Sequence, residues 1–245
     1  MIHASIRPAE SAAAEGLLVF LKAPEPGRVK TRLARSIGAS AACELYRCFV
    51  LDTLAMLRKA GHRPILCYTP ARARSALAEW LPGHGPLWVQ KGQNLGERMA
   101  DAFARAFSVQ YRRVILMGTD LPGLPPSVIR QAFDALVSHP AVIGPTLDGG
   151  YYLIGFTKDG FSPDCFRGIE WSTPEVFRKT LKKLWETGRS YHTLPRLRDI
   201  DDGEDLRAFL SRRQDFGHHA SHTLAFLASR GFPTPGDAPK KAPSI

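Results

Sequence analysis

No stretch of this chain approaches the roughly 18 to 20 consecutive apolar residues that a membrane-crossing helix needs. Residues Met1 to Glu15 also lack the long apolar core and small-residue cleavage pattern of a secretory signal. The sequence therefore reads as a soluble, cytoplasmic protein without a membrane span. Cysteine is scarce: Cys43, Cys48, Cys67 and Cys165 form no C-x-x-C pair and have no histidine at zinc spacing, so buried free thiols are expected. There is no internal repeat and no Pro/Gly-rich linker, since the 19 prolines and 21 glycines are spread along the chain. One domain over 16–232 is expected, with a flexible N-terminus at 1–15. The segment Pro233 to Ile245 has too little apolar content to offset its ordering entropy and reads as a disordered tail.

Acidic residues are the minority charge, 23 against 33 basic, for a formal net charge of +10. That excess suits an anionic ligand and does not choose among nucleotide, nucleic acid and membrane surface. The basic pairs Arg72/Arg74, Arg112/Arg113, Lys182/Lys183 and Arg212/Arg213 mostly adjoin helical apolar patterns, so solvated helix faces account for them better than a nucleic-acid stripe.

What the chain does have is a large apolar fraction, 44% of 245 residues, enough for the core of one α/β domain. Short apolar runs alternate with helical patterns. Leu17–Leu21, Pro64–Tyr68, Leu87–Gln90, Val114–Met117, Ala141–Gly144, Tyr151–Phe156 and Tyr191–Leu197 read as strands. Ala39–Ala60, Ala71–Leu81, Gly96–Phe107, Pro125–Val137, Thr173–Gly188 and a long run from Asp202 to Leu227 read as helices. The run Val114–Met117 is apolar throughout and should be central and covered on both faces. This order predicts a three-layer α/β/α sandwich with a mostly parallel sheet.

Open sheets of this kind place ligand chemistry at the carboxyl ends of their strands. Two acidic residues stand at such ends: Asp120 in Gly118-Thr-Asp-Leu-Pro122, and Asp148 in the turn Asp148-Gly149-Gly150-Tyr151. The turn's Asp-Gly step offers the positive φ of a tight reversal, and its glycines let a ligand approach the backbone. After the first strand, Lys22, Arg28, Lys30 and Arg32 fall within eleven residues on a loop held by Pro24, Pro26 and Gly27, an arrangement suited to a phosphate or, more simply, to a solvated turn. The pair Lys30-Thr31 suggests a P-loop, but Val29 precedes it and the required glycines are absent.

With these segments in hand, the chain resembles the bacterial GT-A-fold glycosyltransferase-like family with the pattern F-x-K-x-P-x-P-G-x-V-K-T-R-L, associated with arsenosugar biosynthesis and related to the molybdenum-cofactor nucleotidyltransferases. The resemblance runs through Phe20–Leu33, Asn94–Met99, Gly118–Pro122, Asp148–Gly155, Trp171–Thr173 and Asp199–Leu206. It implies a nucleotide-diphosphosugar-transferase fold whose loop residues Lys22, Pro24, Gly27, Arg28, Lys30 and Arg32 face phosphates. Asn94, Leu95, Gly96 and Arg98 would lie near the nucleoside, although a helix start also explains them. The sequence has Gln93-Asn94 where the family more often has Gly-Asp, which removes an acidic contact. Asp120 would bind Mg²⁺ or Mn²⁺, with Asp201 as the nearest second ligand and Asp199 the next; a helix cap is the competing role for Asp201.

On that footing the expected activity is a metal-dependent glycosyltransferase that takes a nucleotide-diphosphate sugar and a small-molecule acceptor. Asp120 and Asp148 are its catalytic pair, with Asp148 as acceptor-side base. Gly149, Gly150, Tyr151, Trp171, Ser172 and Thr173 would form the sugar and acceptor side; core packing for Trp171 and a cap for Thr173 are the plainer alternatives. A nucleotidyltransferase that joins an NTP to a phosphorylated small molecule, and a noncatalytic nucleotide- or anion-binding protein, remain open alternatives.

Overall fold

The computed structural model describes residues 15–216 and 219–232. The expected N-terminal extension, apart from Glu15, and the tail at 233–245 lie outside the described residues. The elements in chain order are β1 (Glu15–Lys22), α1 (Thr31–Ile37), α2 (Ala39–Lys59), β2 (Ile65–Thr69), α3 (Arg74–Trp80), β3 (Leu87–Val89), α4 (Leu95–Ser108) and β4 (Arg113–Met117). They continue with α5 (Pro126–Ser138), β5 (Ala141–Pro145), β6 (Tyr151–Thr157), α6 (Val176–Glu186), β7 (Tyr191–Thr193), α7 (Gly203–Ser211) and α8 (Ser221–Ser229).

The strands form one seven-stranded sheet in the order β3-β2-β1-β4-β6-β5-β7. Every neighbouring pair is parallel except the two that involve β6, which runs against all the others. Alternation along β1 explains its continuous apolar run. Leu17, Val19 and Leu21 enter the core beneath α1, α2, α5 and α8, whereas Leu18 enters a second core beneath α4 and α6. Both faces are covered, so no polar residue is needed on either. The β5–β6 hairpin turns at Gly149, whose φ of +90° favours glycine, and a Cβ there would meet the Pro174 carbonyl oxygen at 2.0 Å.

Two features depart from the sequence reading. The expected long helix from Asp202 to Leu227 is broken into α7, a 3₁₀ turn at Arg213–Phe216, and α8. Charged Arg212, Arg213 and Asp215 interrupt its apolar stripe, Phe216 stacks back on Phe209 at 4.6 Å, and α8 turns to dock on α2. The segment read as a plain loop also contains α1, a short helix whose first turn holds Thr31 and Arg32. It has no side-chain cap, and Lys30 precedes it in the left-handed conformation (φ +46°), so the usual start signal is missing from the sequence.

Asp52 holds α8 in place. It is 1% exposed in the middle of α2, and its carboxylate accepts the backbone N–H groups of His222 at 2.8 Å and Thr223 at 2.9 Å. It thus caps a helix about 170 residues away in sequence. Asp52→Ala leaves those N–H groups without this acceptor and should cost about 2 kcal/mol. Hydrogen exchange should then rise in α8 well before it rises in the sheet. Unchanged α8 protection would show that apolar packing alone docks the helix.

Candidate active site

The six like-directed strands bring their carboxyl ends to one edge of the sheet, where a cleft of about 910 Å³ opens. Lys22 at the end of β1, Gln90 just past β3, Gly118 to Asp120 after β4, and the Asp148–Gly150 turn all contribute to its walls. A smaller chamber of about 60 Å³ adjoins it and reaches Asp120 and Asp199 between Thr146, Tyr151 and Tyr152.

Lys30 lies among the carboxylates. Its ammonium donates to Asp120 Oδ1 at 2.6 Å, Asp201 Oδ1 at 2.8 Å and the Ile200 carbonyl oxygen at 2.7 Å, and its side chain is only 5% exposed. These three acceptors use all three of its N–H donors. Burial works against the charge, but Asp120 and Asp201 outweigh it and hold Lys30 above the ordinary lysine range. The left-handed backbone at Lys30 costs about 1–2 kcal/mol. That conformation aims the side chain inward, so the loop after β1 is tied directly to the ends of β4 and of the segment before α7.

Arg32, on the first turn of α1, pairs with Asp202 at 3.1 Å and approaches Asp201 at 3.6 Å. Burial opposes ionisation of Asp201, but Lys30 and then Arg32 hold its carboxyl below the usual range. Asp199 is in the opposite condition. Burial, followed by repulsion from Asp148, Asp201 and Asp120, raises its carboxyl from 3.8 to about 7. One oxygen from each of Asp148, Asp199 and Asp201 falls within 4.8 Å of the others, an oxygen-donor group that could hold a hard divalent cation.

The turn carrying Asp148 is cross-braced by its own hydrogen bonds. Its Oδ1 accepts the Thr146 hydroxyl and the Gly150 N–H, while the Thr146 N–H bonds the Gly150 carbonyl at 3.0 Å. The capping role that competed for Asp201 belongs to its neighbour: Asp202 caps α7 in a reciprocal box with Asp205. Thr173 does not cap α6, since its hydroxyl donates to the Glu170 carbonyl at 2.9 Å and Glu175 occupies the cap position.

The other sequence-predicted residues divide between cleft wall and scaffold. Lys22, Leu95, Arg98, Tyr151, Trp171 and Ser172 line the cleft. Pro24, Gly27 and Arg28 do not line it; Arg28 is exposed on the outer turn of the loop. The Asn94 side chain accepts the Glu97 N–H and so caps α4. Gly96 is buried under the Trp171 ring, where a Cβ would lie 2.6 Å from Cζ2. The expected nucleoside segment at 94–98 and the expected acceptor segment at 171–173 therefore form one continuous wall.

Sequence reasoning missed four contributors. Tyr46 sits on α2, and its hydroxyl accepts the Lys22 N–H at 2.9 Å; burial, with Asp120 nearby, pushes its phenol up to about 12. Thr146 orients Asp148, and the Ile200 carbonyl receives Lys30. Gln90 lines the cleft and bridges two strands, its amide nitrogen reaching the Cys67 and Leu21 carbonyls. Of these, only Gln90 had a signal in the sequence, as a polar residue directly after an apolar strand.

Three comparisons with known proteins bear on this arrangement. The family described as "Uncharacterized protein conserved in bacteria (DUF2064)" matches residues 52–173. Among curated proteins no match was found. A crystal structure from Desulfovibrio desulfuricans G20, provisionally named a nucleotide-diphospho-sugar transferase, superposes with a TM-score of 0.84 at 38% identity, over 89% of this chain and 95% of that one. Rv0371C of Mycobacterium tuberculosis H37Rv in complex with manganese gives a TM-score of 0.52 at 17% identity, over 81% and 98%. The inositol-1-phosphate CTP transferase of T. maritima gives 0.52 at 15% identity, over 85% and 96%. The last two show the fold alone, the one shared with the 38% identical structure. With 38% identity spread over 89% of its length and the matched segment at 52–173, the chain belongs to the bacterial family DUF2064.

Proposed function

We propose that this chain is a divalent-metal-dependent glycosyltransferase that moves a sugar from a nucleotide diphosphate to a small acceptor. One observation carries the reading: Asp120, Asp148 and Asp201 share a single cleft at the carboxyl edge of the sheet with Lys22, Arg32 and Arg98, and Asp199 lines the chamber that adjoins it. The fold and the provisional name of the 38% identical relative support the class. An all-oxygen donor group fits Mg²⁺ or Mn²⁺ better than zinc or copper. Asp199 and Asp201 would hold the ion, with Asp148 beside them turned to the acceptor and Asp120 linked to Asp201 through Lys30. When bound, the ion would neutralise charge on the diphosphate.

The chain's own residues do the rest. Lys22 and Arg32 attract the diphosphate and counter the charge that develops as it departs from the anomeric carbon. Asp148, with Oδ1 fixed by Thr146 and Gly150, presents its other oxygen to the acceptor hydroxyl. The acceptor oxygen bonds the anomeric carbon, the bond to the diphosphate breaks, and the hydroxyl proton passes to Asp148. The wall of Leu95, Trp171 and Tyr151 keeps water from the reacting carbon.

The test is a thermal-shift panel of UDP-, GDP-, CDP-, dTDP- and ADP-sugars and the NTPs, with and without Mn²⁺, on wild type and Asp201→Asn, followed by product analysis. A Mn²⁺-dependent shift with a diphosphosugar that is lost in the variant, and release of nucleoside diphosphate on turnover, is the expected result. Pyrophosphate release would instead identify a nucleotidyltransferase. A response indifferent to metal and to Asp201 would leave only a nucleotide- or anion-binding protein.

A further inference from the structure

The Gln90 amide stands on the cleft floor in a constrained way. Its Nε2 donates to the Cys67 carbonyl of β2 at 2.8 Å and reaches the Leu21 carbonyl of β1 at 3.4 Å, while its own backbone N–H donates to the Tyr68 carbonyl. Carbonyl oxygens only accept, so the amide orientation is determined: nitrogen toward the sheet, oxygen away from it. Among the described residues the side-chain oxygen accepts no hydrogen bond, and it is not among the buried polar atoms left without a partner. Since Gln90 lines the cleft, its Oε1 is an available acceptor there. A fixed acceptor with no donor of its own to offer discriminates between ligands by hydrogen-bond polarity rather than by size.

Its position along the sheet edge says which part of a ligand it meets. Strands lie about 4.8 Å apart. Between β1 and β2, the amide is therefore only one to two strand spacings from β4, whose end leads to Asp120 and the carboxylate cluster. Lys22, at the end of β1, stands between the amide and that cluster. A nucleotide with its diphosphate between Lys22 and the carboxylates thus extends its nucleoside end toward Gln90. Leu95 and Phe20 add apolar surface to the same cleft.

We infer that Gln90 is the base-selecting residue of this site, and that its Oε1 accepts from the exocyclic amino group of a cytosine, guanine or adenine nucleotide, disfavouring uracil, thymine and hypoxanthine. This rests on the nucleotide reading above and narrows it to a class of donor. Bases of the disfavoured class present a carbonyl where the amino group would be, or no group at all. A carbonyl set against Oε1 is repelled, and a missing amino group leaves the acceptor unpaired.

The test is direct binding, by calorimetry in Mn²⁺, of the matched pairs CDP against UDP and GDP against IDP. Wild type and Gln90→Met, which removes the acceptor at similar volume, are compared. Wild type should favour the amino-bearing member of the pair that fits by about fivefold to tenfold, and Gln90→Met should bring that ratio close to one while retaining nucleotide binding. Equal affinities in wild type would overturn the inference even if the variant did not fold, as would a preference that survives in Gln90→Met. Binding of no nucleotide by wild type would overturn the nucleotide reading itself and this inference with it, a result distinct from nucleotide binding without base preference.

Discussion

Lys30→Met is expected to be the most damaging single substitution in the site, with a loss of about 3 kcal/mol in stability and of detectable turnover. Breaking a buried charge pair from one side typically costs about 3–5 kcal/mol, because the remaining charge stays behind without compensation. The low end applies here, since the side chains of Asp120 and Asp201 are 41% and 32% exposed. For a chain of this length the loss corresponds to roughly 6–12 °C in melting temperature.

The pH dependence separates this loss from a simple packing defect. In the wild type the Lys30 contribution is complete below its unfolded value of 10.5 and is lost only as pH climbs through the raised folded value, so it is constant from pH 5 to 9. In Lys30→Met the carboxylates face one another without an internal cation, and Asp201 loses the larger of the two basic partners that held it below the usual range, keeping only Arg32. Protonation then relieves the repulsion, so the deficit measured by thermal melts should shrink from pH 8 to pH 5. Mn²⁺ should raise the melting temperature of the variant more than that of the wild type. A deficit that is the same at both pH values, with no added response to Mn²⁺, would show that Lys30 matters for packing rather than for charge.

Asp199→Asn should have the opposite effect on stability and a similar one on function. The raised value of about 7, against 3.8 in the unfolded chain, means that the folded metal-free protein retains a proton that the unfolded chain has released. Stability of the wild type therefore declines as pH rises from about 4 to 7 and levels off above that. Solvent reaches this half-buried carboxyl, so the cost at pH 8 is discounted to about 2 kcal/mol. The asparagine variant escapes it: its advantage over wild type should be present at pH 8 and vanish near pH 4. The same change removes a member of the cation-binding group, so the Mn²⁺-dependent rise in melting temperature should be lost and kcat/KM should fall by about a hundredfold or more. An asparagine variant no more stable than wild type at pH 8 would mean that the carboxylates are not in electrostatic competition. A site that destabilises its own scaffold until a ligand neutralises it is what a stability–function conflict predicts.

The two expectations differ in sign although both concern one cluster, and the cause lies in which group holds which partner. Lys30 is within 2.8 Å of Asp120 and Asp201, and both gain from it. Asp199 lines the adjoining chamber and is raised by burial and by three neighbouring carboxylates, against a smaller opposing effect from Lys30. Nothing in the spacing Asp199-Ile-Asp201 distinguishes these two residues.

Periodicity alone was enough for the alternating strands and helices, because a strand covered on both faces needs an uninterrupted apolar run and an amphipathic helix needs its stripe. Leu17–Leu21 and Val114–Met117 entered the sheet for that reason, and the Asp-Gly-Gly sequence could close a tight hairpin. The position of Asp120 was legible for a related reason: the residue after a parallel strand lies on the ligand-binding edge whatever the rest of the chain does. Local signals failed where the structure depends on distant residues. Helix α1 has no capping side chain to announce it, and α8 is capped by Asp52 from α2 rather than by its own N-cap.

The sequence by itself determined the layers, the sheet edge and the residue types along it, since these follow from hydrophobic period and turn chemistry within about twenty residues. Tertiary structure alone decided the partners. A separation of 171 residues stands between Lys30 and Asp201, and 23 between Gln90 and Cys67. Whether a lysine faces solvent, a phosphate or two carboxylates depends on a left-handed backbone at one residue and on which strand ends become neighbours. The order β3-β2-β1-β4-β6-β5-β7 sets those neighbours through packing between segments remote in sequence, which no local pattern encodes.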